Sequence, residues 1–339
     1  MVNSIRCPDF HVSFVSLRAF VPAPDSWFLD SFKIASTVVL TRIALALLCC
    51  FLAAAGALPS GCAPVRCGEV AAFGNLGPEV NSPYDDYGPA LSDTSTIVFT
   101  SSRVEPGRGG LQEQYRRVRP AHLYFSMRLT SSWDAAQPYA VIFSREDLEA
   151  ATITFAPPNS AFNTIAYVGA CTAENSIGGC DLYAVTEGTA ASFVNLGPEI
   201  NSAAWEGQPS VTPDGSRLYF ASNRPGGEGN SDIWIADRLP SGSWGAPRNA
   251  GPAINTPGEE FSPFLDVSTG DLYFASESPS AGLDIYVVSP TDRSRRALPA
   301  PYNSEADDFT PFILRGTLYL ASKRNGGCGG YDLYGFALR

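Results

Sequence analysis

The residues best suited to chemistry are acids that recur with a fixed neighbour. Asp86, Glu206, Glu260 and Asp308 each stand three residues before a proline, at Pro89, Pro209, Pro263 and Pro311. Asp85, Glu259, Glu305 and Asp307 lie beside them, and Arg103, Arg224 and Arg324 follow in loops further on. Such acids could form a ring that binds a cation, a basic peptide or a polar ligand. Two of them could also hydrolyse a glycoside, but nothing in the pattern selects an acid/base pair. The competing reading is that each acid is spent on an arginine within or between repeats. Recurrence in four repeats favours that pairing, because a ligand site is usually asymmetric.

Other chemistry is limited by supply. The chain has two histidines, His11 and His122, which excludes histidine-rich metal centres. A Ser–His–Asp enzyme is disfavoured, because no Gly-x-Ser-x-Gly elbow occurs. Loops rich in Asp, Asn and Gly could take calcium, yet EF-hand spacing is missing, so no cofactor is expected and calcium is the alternative. A net charge of −11 argues against a nucleic-acid partner. One local exception is basic, with Arg103, Arg108, Arg116, Arg117 and Arg119 around Tyr115. It reads as a solvated loop or as a contact for an acidic partner.

The elements that must position these residues are repeated. Leu218–Ser222 (Leu-Tyr-Phe-Ala-Ser) has counterparts at Ile97–Ser101, Ile165–Gly169, Leu272–Ser276 and Leu318–Ser322. Each leads through a polar or Gly-rich loop to a second short strand: His122-Leu123-Tyr124, Asp181-Leu182-Tyr183, Asp232-Ile233-Trp234, Asp284-Ile285-Tyr286 and Asp332-Leu333-Tyr334. The Asp before that strand is expected to accept backbone N–H bonds from its loop. Tight turns at Asp214-Gly215 and Thr269-Gly270 suit hairpins. A Gly-Pro-x-[Ile/Val]-Asn connector recurs at 77–81, 197–201 and 251–255. Four short strands in about 50 residues, repeated, describe a propeller blade.

Ser222-Asn223-Arg224-Pro225-Gly226-Gly227 with Asp232-Ile233-Trp234, and Ser322-Lys323-Arg324-Asn325-Gly326-Gly327 with Asp332-Leu333-Tyr334, resemble the TolB-type propeller repeat. The resemblance covers roughly residues 70–339 and implies an all-β fold of five four-stranded blades, with six as the alternative because TolB itself has six. It implies a bacterial envelope protein that binds and does not catalyse. A glycan-binding or glycoside-hydrolysing propeller is the alternative function.

The last blade lacks a fourth strand, since the chain ends at Arg339. Residues 70–81 closely match 190–201, which form a fourth strand and connector. The stretch Val70–Asn75 is therefore expected to complete the last blade and cover its edge.

Ile43–Ala57 is uncharged, follows Arg42 and precedes Leu58-Pro59-Ser60-Gly61-Cys62. This describes a secretory signal over 41–61, with Cys62 as the lipidated residue, although Pro59 departs from the lipobox pattern. Residues 1–40 read as an extension from a start assigned too far upstream, and 62–69 as a tether. The expected product is a monomer with an envelope protein partner, exported to the periplasm or cell envelope and held at the outer membrane only by its lipid. Cys67, Cys171, Cys180 and Cys328 remain after processing, an even number that suits an oxidising compartment. Cys171 and Cys180 are expected to face each other across a strand pair, about 4.5–5.5 Å apart. A Cys67–Cys328 bond is disfavoured by a level difference of about 20 Å along one strand, and both are left unassigned.

Overall fold

A computed structural model describes residues 73–91, 95–103, 121–128, 132–139, 149–158, 160–171, 175–186, 192–279 and 282–338. Every described residue lies in one compact unit, Cys67–Arg339. The upstream extension, the signal, Cys62, the tether and the basic residues Arg108–Arg119 all fall outside the described residues.

The recurring aromatic segments are strands, as their β-branched and aromatic content favours. Sheet one holds β1 (Asp86–Leu91), β2 (Thr96–Ser101), β3 (His122–Met127) and β4 (Gln137–Pro138). Sheet two holds β5 (Glu149–Phe155), β6 (Thr164–Cys171), β7 (Cys180–Thr186) and β8 (Ser192–Asn195). Sheet three runs through β9 (Glu206–Val211), β10 (Arg217–Ser222), β11 (Asp232–Asp237) and β12 (Arg248–Asn249). Sheet four runs through β13 (Glu260–Asp266), β14 (Asp271–Glu277), β15 (Leu283–Val288) and β16 (Arg295–Ala297). Sheet five has β17 (Asp308–Leu314), β18 (Thr317–Ser322) and β19 (Asp332–Ala337). All neighbours pair antiparallel, so these are five propeller blades and not six.

The fifth blade is completed from the start of the described chain. Asn75 pairs with Tyr334, Leu76 N donates to Leu333 O at 3.0 Å, and Gly335 N donates to Gly74 O at 2.8 Å. Phe73 packs its ring 5.8 Å from that of Phe336. Among the described residues the expected closing strand is thus reduced to one bridge at Asn75 flanked by the bonds of Gly74 and Leu76, while Val70–Ala72 lie outside the described residues.

The apolar core lies between blades. Tyr167 and Leu182 of blade two meet Leu218, Phe220 and Trp234 of blade three. Val80, Phe99 and Tyr124 meet Phe309, Tyr319 and Leu333 across the closure. Each blade is too thin to bury both faces alone, so the ring buries them against its neighbours.

The first strand of each blade lines the central channel and carries a bulge. In four blades the bulge coincides with the repeated proline, which cannot donate to the ladder. The preceding residue is left-handed: Gly88 (φ 64°), Gln208 (φ 54°), Ser262 (φ 52°) and Thr310 (φ 51°). For the three that are not glycine, this conformation costs about 1–3 kcal/mol each.

Cys171 and Cys180 are bonded, with their Cα atoms 4.0 Å apart in facing positions of β6 and β7. Cys328 is disulfide-bonded as well, to a cysteine outside the described residues.

Candidate functional site

One end of the ring carries the β2–β3 type loops and the connectors between blades. Here Asp86, Glu206, Glu260 and Asp308 open the first strands of four blades, and all four are fully buried. Each is held by the same kind of cage. Glu206 accepts from Ser202 N at 2.8 Å, Ser202 Oγ at 2.6 Å and Ser222 Oγ at 2.8 Å, and pairs with Arg224 at 3.1 Å. Asp86 pairs with Arg103 at 2.8 Å and Asp308 with Arg324 at 2.6 Å. Three of the four acids singled out by their spacing therefore meet the singled-out arginines as ion pairs, in blades one, three and five.

Each arginine also ties down the preceding connector. Arg103 donates to Val80 O at 2.6 Å, Arg224 to Ile200 O, and Arg324 to Tyr302 O at 2.7 Å. The guanidinium of Arg224 sits 5.0 Å from the Phe220 ring and 5.2 Å from that of Trp234. Burial lowers the Arg224 pKa, and Glu206 opposes that shift.

Glu260 finds its cation elsewhere. Ser278 stands where blades one, three and five carry arginine, and Arg295 of β16 takes its place at 3.2 Å. Arg295 lies over Tyr286 at 4.2 Å and donates to Ile254 O at 3.0 Å, as the others do with their rings and connectors. The sequence pattern missed Arg295, because it arrives from the fourth strand and shares no motif with Arg103, Arg224 and Arg324.

Blade two departs entirely. Ala150 and Ala170 face each other at the positions of the acid and serine, and the Cys171–Cys180 bond stands one step further out.

The connector asparagines are the second repeated device. Asn201 Oδ1 accepts from Leu182 N at 2.8 Å while its Nδ2 donates to Leu182 O at 2.9 Å. Asn255 does the same with Ile233, Asn303 with Ile285, and Asn81 with Leu333. A side-chain amide here imitates a strand's peptide group and links one blade to the next.

The Asp before the third strand behaves as expected in three blades. Asp181 accepts from Ile177 N and Gly178 N, Asp232 from Glu228 N and Gly229 N, and Asp332 from Cys328 N. Asp332 is 1% exposed and its Oδ1 lacks a hydrogen-bond partner. Burial, together with the charges of Asp86 and Asp85, pushes its pKa up to about 7. His122 occupies the matching place in blade one, opposite Ser101. Among the described residues no group of three or more His, Cys, Asp or Glu side chains is arranged to hold a metal ion.

The central channel encloses about 50 Å³ and is lined by residues of all five first strands. Its polar lining is uncharged and includes Thr152, Thr154, Gln208, Ser262 and Thr310. Ser262 N donates to Gln208 Oε1 at 2.7 Å and Gly88 N to Thr310 Oγ1 at 3.2 Å. The hydroxyls of Thr152 and Ser262 are buried without a partner.

Sheet order, closure and channel together define a five-bladed β-propeller. Solved structures similar to it include a TolB of Agrobacterium tumefaciens, at 11% identity over 75% of this chain and 83% of that one, with a TM-score of 0.44. A GH43_1 enzyme of Xanthomonas citri is similar at 11% identity over 78% and 90% of the two chains, with a TM-score of 0.47. An endo-arabinase of Bacteroides thetaiotaomicron is similar at 12% identity over 80% and 98%, with a TM-score of 0.45. No protein-family model and no curated protein matches the chain.

Proposed function

We propose that the chain is a non-catalytic binding scaffold of the bacterial envelope, a TolB-type propeller whose loop-rich end contacts a protein partner. The observation that carries this reading is the fate of the four ring acids. Asp86, Glu206, Glu260 and Asp308 are each buried and ion-paired to an arginine. Hydrolysis by two carboxylates needs one to hold a proton and both to face a sugar, and these four face arginine and serine instead. The exported, monomeric, lipid-anchored state at Cys62, without a cofactor, belongs to the same proposal and rests on the apolar run before Cys62.

The test has two arms. The purified full chain is incubated with p-nitrophenyl arabinofuranoside and xyloside, and no nitrophenol release is expected. Cells expressing the chain are labelled with radioactive palmitate, and label lost in Cys62→Ser is expected. Turnover abolished by Glu206→Gln would replace the scaffold reading with the glycosidase one.

A further inference from the structure

We propose that the end of the ring opposite the loop-rich one docks flat on a lipid bilayer, a contact beyond the lipid itself that rests on the anchor proposed at Cys62.

Strand direction defines that end. The first strands run away from the buried acids. The turns that follow them are tied to the far ends of the third strands. Arg128 N donates to Ser95 O at 2.7 Å, Arg238 N to Ser216 O at 2.8 Å and Leu338 N to Gly316 O at 2.7 Å. The closing segment points the same way. Leu76 lies level with Leu333, Gly74 with Gly335 and Phe73 with Phe336, while β19 runs from Asp332 near the loop-rich end to Ala337. Followed from Leu76 to Phe73, the segment therefore heads toward the opposite end. Cys62 stands eleven residues before Phe73, a span of about 40 Å at most. A lipid on Cys62 is thus tethered from this end, and the loop-rich end is left to the partner.

The side chains at this end suit a flat apolar partner. Met127, Phe162, Leu239 and Val267, one from each of blades one to four, are exposed there. Phe162 is 71% exposed and holds φ 59° in its turn, an outlier for a bulky residue. Asn163 beside it is left-handed too, as are Arg293 and Arg315 in the turns of blades four and five. Backbone strain of this kind collects at functional surfaces, and a ring so exposed returns little of its cost to the fold. The turns of blades two and three abut, since a Cβ on Gly242 would lie 3.1 Å from Ala161 and 3.5 Å from Phe162. Leu239 closes the same turn, its carbonyl accepting from Gly242 N at 2.9 Å. Apolar tips spread over four blades fit a plane, whereas a protein anchor would want them gathered in one pocket. Exposed Arg128, Arg293 and Arg315 stand among Asp214, Asp237 and Asp292 at this end. Such a mixed rim neither repels nor requires anionic lipid, so the contact rests on the apolar tips, seated about 5–10 Å into the boundary of headgroups and acyl chains.

The experiment places a tryptophan at either end of the full lipidated chain. Each variant is reconstituted in phosphatidylethanolamine–phosphatidylglycerol vesicles whose acyl chains carry bromine, a short-range quencher. Phe162→Trp and Val267→Trp are each expected to lose at least half of the emission they add to wild type. Glu228→Trp, in the loop-rich end, is expected to lose none. Phe162→Gly is expected to resist urea at least as well as wild type, because glycine adopts φ 59° freely. Unquenched emission at both Phe162 and Val267 would overturn the proposal. So would equal quenching at Glu228, or a clear loss of stability in Phe162→Gly, which would assign the ring to the fold. Palmitate labelling separates this from the anchor. Label at Cys62 without quenching keeps the anchor and removes the docking; quenching without label keeps the docking and removes the anchor.

Discussion

Asn81 and Leu333 meet across the closure of the ring. The Asn81 Oδ1 accepts Leu333 N–H at 2.7 Å, and its Nδ2 donates to Leu333 O at 3.0 Å. The two residues are separated by 252 positions in the chain. This carboxamide adds to the Asn75–Tyr334 bridge in fastening the beginning of the propeller to its last blade.

Replacing Asn81 by Ala would leave the buried N–H of Leu333 without this partner, while its C=O keeps the Leu76 N–H. Such a loss costs about 1–3 kcal/mol. Asn81→Ala is expected to lose about 1–3 kcal/mol in urea unfolding, with the Asn255→Ala change at an internal joint as reference. A loss below about 0.5 kcal/mol, the range of ordinary surface substitutions, would show that the closure does not depend on this amide.

Glu206 and Arg224 test the cage. The Glu206 side chain is fully buried and that of Arg224 is 11% exposed. Removing one member of a buried pair strands the other and costs about 3–5 kcal/mol. Arg224→Met should therefore destabilise strongly. The double change Glu206→Gln, Arg224→Met should destabilise less than Arg224→Met alone, since no carboxylate is left uncompensated. If the double variant is the weaker in thermal unfolding, the pair is not the unit described.

How much of this arrangement could be read from the sequence depends on where each partner sits in the repeat. Glu206 and Arg224 were legible because both occupy fixed places around one strand pair and recur in other blades. Arg295 was not, because it reaches Glu260 from β16 and substitutes for Ser278 in space but not in register. The connector motif ending in Asn201 was visible as a repeat, yet its role was hidden. A side chain that imitates a peptide group is recognised only when the strand it completes, here at Leu182, is in view. The channel was equally hidden. Its strained lining depends on a bulge at Ser262, and bulge geometry leaves little trace beyond the proline that follows.

Asp332 gives the fold a pH dependence of unusual sign for a carboxylate. Its pKa lies near about 7 in the folded chain against an ordinary 3.8. Between these values the folded state holds the extra proton, so stability from this group is complete below pH 3.8 and is lost as pH rises through 7. At about 1.4 kcal/mol per pKa unit, the loss is a few kcal/mol at most. Asp332→Asn retains an oxygen for the Cys328 amide and carries no charge. Relative to wild type, the variant should gain stability between pH 5 and pH 8 in urea melts. A difference that stays constant with pH would show that Asp332 does not titrate in this window.

Blade two lacks the acid and serine of the cage, with Ala150 and Ala170 in their positions. The Cys171–Cys180 bond holds the same end of that blade, between residues nine apart. A loop of this size is worth about 2.5 kcal/mol in the chain-entropy model. Breaking it should act locally, because neighbouring blades keep their own ion pairs. The Cys171→Ala, Cys180→Ala variant is expected to lose about 2–3 kcal/mol. Its amide hydrogen exchange should rise in β6 and β7 and stay near wild type in β10 and β11. Equal acceleration in all five blades would mean that the disulfide stabilises the ring as a whole, and that the cage has no covalent counterpart in blade two.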